Sequence, residues 1–196
     1  MKLIVGLGNP GKQYERTRHN AGYWCAQQIA GGCKAELRSE PKFHGWVASV
    51  RGTEMRILLP ATYMNESGRA VVALASYYKI EPREMLVVHD ELDLEPGTVR
   101  LKFGGGSSGH NGLKDIAGRL SSNEFWRLRI GIGHPRNNAA SEQVVADYVL
   151  HAPSADERSL IDEAINRALA VWPLIAAGDT QAAMLKLHTK EAKPEQ

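Results

Sequence analysis

Leu3-Ile4-Val5-Gly6-Leu7-Gly8-Asn9-Pro10-Gly11 sets three apolar strand formers against a glycine turn. Directly after a strand, Gly6, Gly8 and Gly11 complete G-x-G-x-x-G, the phosphate-binding turn of a dinucleotide fold. The chemistry around them does not support a nucleotide. Pro10-Gly11 leads into the polar, unpatterned stretch Lys12 to His19 and not into a helix. About 20 residues on, where a carboxylate should meet the ribose, stand Gln27, Gln28 and Ile29. Gly6, Gly11 and Lys12 also approach a P-loop, but Gln13 replaces the Ser or Thr that ligates magnesium. The remaining reading is a turn at the end of a strand, with Pro10 fixing the chain and the Asn9 amide placed to line a site.

Working outward, short runs rich in Val, Ile and Leu recur at Trp46–Val50, Met55–Leu59, Met85–Val88, Thr98–Phe103 and Leu128–Ile132. Helical patterns alternate with them: Asn20 to Ala30; a helix opened by Asn65 as N-cap and stopping near Pro82; and one from Asn111 that buries Leu113, Ile116 and Leu120. Ser154 and Glu157 spell a capping box before an amphipathic run that Pro173 should kink or end, and Asp179 caps a last short helix. Arg51-Gly52-Thr53-Glu54 separates two strand runs as a hairpin loop would, so part of the sheet is antiparallel. The expectation is one α/β domain over residues 1–196, a twisted mixed β-sheet flanked by helices on both faces, with 190–196 a frayed tail.

The chain's 196 residues suffice for one buried core. Cys25 and Cys33 are too few for a disulfide framework and form no CxxC pair. The first apolar run is shorter than the core of a signal peptide, and no segment approaches a membrane span, so a cytoplasmic setting is expected. Taken at face value, a net charge of +2 argues against a polyanionic partner. The blocks say otherwise: residues 1–80 carry 11 basic and 5 acidic side chains and 96–136 carry 7 and 2. The stretches 81–95 and 137–196 are acidic and cancel them.

Gly105-Gly106-Ser107-Ser108-Gly109 reads G-x-S-x-G between a strand and a helix, as a nucleophile elbow does. A serine esterase using Ser107 is therefore a rival, with Asp115, Asp147 or Asp162 and His134, His151 or His188 as triad candidates. His89-Asp90-Glu91-Leu92-Asp93 holds three carboxylates and a histidine after a strand, yet lacks the spacing of a metal site. Asp90 alone would suffice to orient a histidine from elsewhere. Amides recur where strands should end, at Asn9, His19-Asn20, Met64-Asn65 and His110-Asn111-Gly112. Several such groups converging on a cleft suit peptide recognition and an oxyanion.

Together these segments resemble the bacterial-type peptidyl-tRNA hydrolases. Leu3–Gly11 with Tyr14 and Thr17-Arg18-His19-Asn20-Ala21-Gly22 is similar to that family's opening motif, Tyr63-Met64-Asn65 with Ser67-Gly68 to its second, and His89–Asp93 to its third. Gly104-Gly105-Gly106 with Gly109-His110-Asn111-Gly112-Leu113-Lys114, and then Arg127–Pro135, complete the set in order.

The resemblance implies hydrolysis of the ester joining a peptide to the terminal ribose of a tRNA. It implies His19 as general base, Asp90 as the group orienting it, and Asn65 as donor to the oxyanion. Asn9 and Asn111 would bind the first amide groups of the peptide and help place the water. Tyr14 and Tyr63 fall near the terminal nucleotide and peptide, Tyr63 where the family has Phe. Arg100, Lys102 and Arg129 match positions associated with tRNA phosphate, while Lys114 serves either the substrate or solubility. No metal or cofactor is implied. The implied partners are peptidyl-tRNA and the stalled large ribosomal subunit, with the protein itself a monomer and no membrane partner. The non-enzymatic alternative is an RNA-binding module whose basic face is its whole function.

Overall fold

The computed structural model describes residues 1–135 and 142–189. The expected frayed tail at 190–196 lies outside them. Seven strands form one sheet: β1 (Leu3–Gly6), β2 (Arg38–Glu40), β3 (Gly45–Ser49), β4 (Arg56–Pro60), β5 (Met85–Glu91), β6 (Val99–Phe103) and β7 (Trp126–Gly131). Their order is β2-β3-β4-β1-β5-β7-β6. The four central strands β4, β1, β5 and β7 run parallel, and antiparallel pairing carries the sheet out to β3 and β2 on one side and β6 on the other. The mixed sheet and the β3–β4 hairpin are as the sequence predicts.

Central strands buried on both sides read as continuous apolar runs, and the period of two divides them between two cores. Ile4, Leu86 and Val88 face a cluster completed by α1 (Ala21–Gly32), α5 (Ala155–Ala176) and α6 (Thr180–His188). Leu3, Val5, Met85 and Val87 face the other, completed by α2 (Ser67–Tyr78) and α3 (Asn111–Leu120). The expected helices on both faces are thus present. An eight-residue helix, α4 (Glu142–Val149), was not anticipated.

The glycines of the opening turn serve close packing. A Cβ on Gly6 would lie 2.5 Å from Ala26 Cβ, and one on Gly22 2.3 Å from the Val88 carbonyl oxygen. Only glycine lets α1 settle this closely over β1 and β5. Of the two alternatives for Pro173, ending the helix is excluded: it lies inside α5, which runs on to Ala176 with Val171 and Ile175 on either side of it buried in the core. One expectation about a helix start fails. Asn65 does not cap α2: it sits within the 3-10 turn Met64–Glu66, and α2 has no side-chain cap of its own. One segment went unread as a strand: Arg38-Ser39-Glu40 joins the sheet edge by backbone pairing to β3, without the apolar alternation that marks a strand.

β1 leads into α1 on one face, whereas the path from β5 to β7 carries α3 on the other. Adjacent parallel strands whose connections leave on opposite faces open a crevice beyond their C-terminal ends. Asn9 follows β1 there, and Asp90 lies at the end of β5.

Candidate active site

The 3-10 turn Arg18–Asn20 leads into α1 and delivers two side chains to that crevice. His19 Nδ1 lies 3.0 and 2.9 Å from the two oxygens of Asp90. A carboxylate only accepts, so Nδ1 carries the proton and Nε2 is left as a base. Asp90 holds a second imidazole: His110 Nε2 is 3.0 Å from its Oδ1. The Leu113 N–H donates to His110 Nδ1 as the cap of α3, so the proton of that ring is on Nε2 and points at Asp90. Burial alone would raise the Asp90 carboxyl, but His19 and His110 outweigh it and hold the group well below the usual carboxylate range.

Behind this pair His89 is buried, its Nδ1 hydrogen-bonded to the Asp90 carbonyl oxygen at 2.7 Å. Its Nε2 has no partner among the described residues. Burial, reinforced by His110, pushes this imidazole down to about 3, so it stays neutral.

Asn9 is held from three sides. Its main-chain N–H donates to Asn20 Oδ1 at 2.8 Å, and Asn20 Nδ2 donates back to its carbonyl at 3.0 Å. The Met64 N–H donates to Asn9 Oδ1 at 2.8 Å, which fixes the amide's orientation. With Oδ1 taken, Nδ2 is the atom Asn9 has to offer, and no bond of it is found among the described residues. The same link draws the 3-10 turn that carries Asn65 up to the β1 loop. Asn65 is exposed and free of side-chain bonds among the described residues. Tyr14 and the exposed Tyr63 meet edge to face, ring centroids 6.4 Å apart.

A cleft of about 720 Å³ opens beside these groups, lined by His19, Asp90, His110, Asn111, Lys114 and, from α4, Val149. Arg18 ties α4 to the turn that carries His19. It is buried, its guanidinium lies 4.1 Å from the Tyr148 ring centroid, and it donates to the carbonyls of Tyr148 and His151 and to Glu157.

The basic candidates occupy the antiparallel β6–β7 pair, whose strands are joined through the glycine loop and α3. Val99, Leu101, Leu128 and Ile130 face the core, so Arg100, Lys102, Arg127 and Arg129 share the opposite face. Arg100 stands directly across from Arg129, and Lys102 from Arg127. Arg127 is buried and donates to the carbonyls of Gly105 and Gly106, pinning the glycine loop. Arg129 Nε donates to Glu91 at 2.8 Å, and Arg100 spends one donor on the Leu187 carbonyl at the end of α6.

The triad candidates for Ser107 are committed elsewhere. Asp115 binds the Gly68 N–H and Arg119, Asp162 binds Arg158, and His188 accepts the Leu101 N–H. Ser108, not Ser107, takes the positive φ of the loop. No histidine side chain bonds to the Ser107 hydroxyl among the described residues; His110 meets Ser107 only through its main-chain N–H, which donates to the Ser107 carbonyl at 2.8 Å.

His110, Arg18 and Glu91 hold site residues in place and were given no role of their own by the sequence reading, which counted Asn20 only among the amides lining a site. His110 carried a signal, beside Asn111 in a motif already read as lining a site. The others are recognisable only from their partners.

The family model for peptidyl-tRNA hydrolase matches residues 3–195. Among solved structures, a peptidyl-tRNA hydrolase in complex with N-propanol is 45% identical with a TM-score of 0.92, the match covering 98% of this chain and 97% of that one. The peptidyl-tRNA hydrolase of Acinetobacter baumannii is 46% identical at a TM-score of 0.91, over 97% and 96%. The hydrogen-bonded His–Asp pair, in a cleft that Asn111 also lines, belongs to a chain that matches these enzymes over nearly its whole length and is a member of the peptidyl-tRNA hydrolase family.

Proposed function

We propose that His19 is the general base of the family's reaction, hydrolysis of the ester in peptidyl-tRNA, and the observation that carries this is the His19 Nδ1–Asp90 contact, which in the neutral ring makes Nε2 the acceptor. Nε2 takes a proton from a water, and the hydroxide attacks the ester carbonyl carbon. The charge that develops on the carbonyl oxygen is met by the Asn65 amide, a contribution of ~3 kcal/mol at comparable sites. Collapse breaks the bond to the ribose oxygen, which takes the proton back from His19. Asp90 stabilises the imidazolium in between.

Asn9 donates through Nδ2 to a carbonyl of the bound peptide, and Asn111 binds a neighbouring amide group. Those contacts favour a substrate whose α-nitrogen is acylated over one bearing a free ammonium. Tyr14 and Tyr63 offer apolar rings to the terminal base and first side chain. Lys102 and Arg129, with the remaining donors of Arg100, meet tRNA phosphate; like charges directly opposite on an antiparallel pair destabilise it, which a polyanion would relieve. We further infer that residues 1–196 act as one monomeric, cytoplasmic domain without a metal, on free peptidyl-tRNA and at the stalled large ribosomal subunit. Among the described residues no helix is long and apolar enough to cross a membrane.

The test compares turnover of N-acetyl-aminoacyl-tRNA with that of the free aminoacyl-tRNA. A preference on the order of a hundredfold or more is expected, and Asn9→Ala should reduce it. Equal rates on the two substrates would sink the reading.

A further inference from the structure

Between β6 and α3 the chain runs through Gly104-Gly105-Gly106-Ser107-Ser108-Gly109 to His110. Gly104, Gly105, Ser108 and Gly109 take positive φ, and Gly105, Gly106, Ser108 and Gly109 are exposed. A surface segment this rich in glycine has much backbone freedom to lose. Its far end nevertheless has to place His110 Nε2 3.0 Å from Asp90. Beneath the loop lies Arg127, only 3% exposed, donating from Nη1 to the Gly106 carbonyl and from Nη2 to the Gly105 carbonyl. Its guanidinium carbon is 4.9 Å from the Phe125 ring centroid. The Gly104 N–H donates to the Phe125 carbonyl at 3.0 Å, and the His110 N–H closes a turn on the Ser107 carbonyl at 2.8 Å. Burying a cation against neutral carbonyls is a costly way to stabilise a loop. Gly105 and Gly106 are exposed, so water could take those carbonyls instead.

We propose that Arg127 is a positioning residue for the hydrolysis: by forking onto Gly105 and Gly106 it fixes where the glycine loop delivers His110, whose donation to Asp90 steadies the carboxylate that orients His19. Lys102, directly across on β6, is exposed and free to meet phosphate; Arg127 is buried and its fork is turned to the loop. This rests on His19 being the general base. A residue that only stabilised the fold would act on unfolding, and one that bound phosphate would act on KM in a salt-dependent way. Arg127 acts on kcat, through His110.

The experiment measures kcat and KM on N-acetyl-aminoacyl-tRNA at low and high salt. Arg127→Met keeps most of the length of the side chain and removes its charge and fork. It should unfold at a urea midpoint near wild type and lose kcat by about tenfold at both salt concentrations, with KM within about twofold. His110→Ala should show a similar loss, and adding Arg127→Met to it should cost no further kcat. Should Arg127→Met fail to fold, Arg127→Lys, which retains the cation without the planar fork, takes its place in the same cycle. Wild-type kcat in the Arg127 variant, an equal fractional loss with and without His110→Ala, or a salt-dependent rise in KM overturns the proposal. Wild-type kcat in His19→Ala overturns it by a separately visible route, since the general-base reading itself then fails.

Discussion

Asp90 accepts from two imidazoles whose outer contacts assign them different tasks. His110 is locked by the α3 cap and can only donate, while His19 keeps a free nitrogen toward the cleft. Asp90→Asn removes the charge that stabilises the imidazolium and the acceptor that sets its tautomer, so kcat should fall by about a hundredfold to ten-thousandfold. Steady-state kinetics would check this; a loss confined to KM would contradict it. His89 gives a prediction about stability. Its folded value of about 3 lies below the ordinary 6.5, so below pH 6.5 the unfolded chain takes a proton that the folded one refuses. Stability from this group is whole above pH 6.5 and declines as pH falls toward 3, by ~1.4 kcal/mol per unit. Asp90 is also depressed, but its contribution is lost only below the carboxylate range, so the windows separate. Urea unfolding at pH 6.5 and pH 5 should show a loss of about 2 kcal/mol from this source in wild type, absent from His89→Leu. Equal losses in the two proteins would show that His89 is not buried neutral. His19, Asp90 and the row of amides were legible as residues because their types and spacing carry chemistry. The second imidazole on Asp90 was not, because nothing local tells His110 which carboxylate it will meet.

Among the elements, β6 and β7 carry the face proposed to meet tRNA phosphate. Their alternation puts apolar side chains on the core and four cations on the other face. Lys102 is exposed and carries its charge on the surface of that strand pair. Lys102→Glu should raise KM by about tenfold at low ionic strength with little change in kcat, and the gap should narrow as salt rises. A salt-independent effect, or one on kcat alone, would mean that this face does not bind phosphate. The elements that the sequence concealed are those formed by tertiary context. β2 is three polar residues paired to β3 through backbone alone. α4 follows a segment without apolar period and is held by Arg18 and by Val149 against the core. At the head of α2 a local rule was overridden: Asn65 looked like a cap but lies within the 3-10 turn that precedes the helix, and the Gly68 N–H goes to Asp115 on α3.

For the molecule as a whole, the small net charge was a poor guide to partners because it averages a basic strand pair with acidic helices. The fold was legible to the level of a mixed sheet with two covered faces, since buried strands and amphipathic helices each show their period. The strand order was not, because register and crossover depend on which helix covers which face. That order brings the ends of β1 and β5 together, and with them Asn9 and Asp90, at the reversal of the sheet. The account stands on His19, not Ser107, being the group that acts on the ester. Its most direct test is the single-turnover rate on N-acetyl-aminoacyl-tRNA for His19→Ala and Ser107→Ala side by side. His19→Ala should lose a hundredfold or more, on the order expected for a general base, while Ser107→Ala stays near wild type. Full activity in His19→Ala with activity abolished in Ser107→Ala would contradict it.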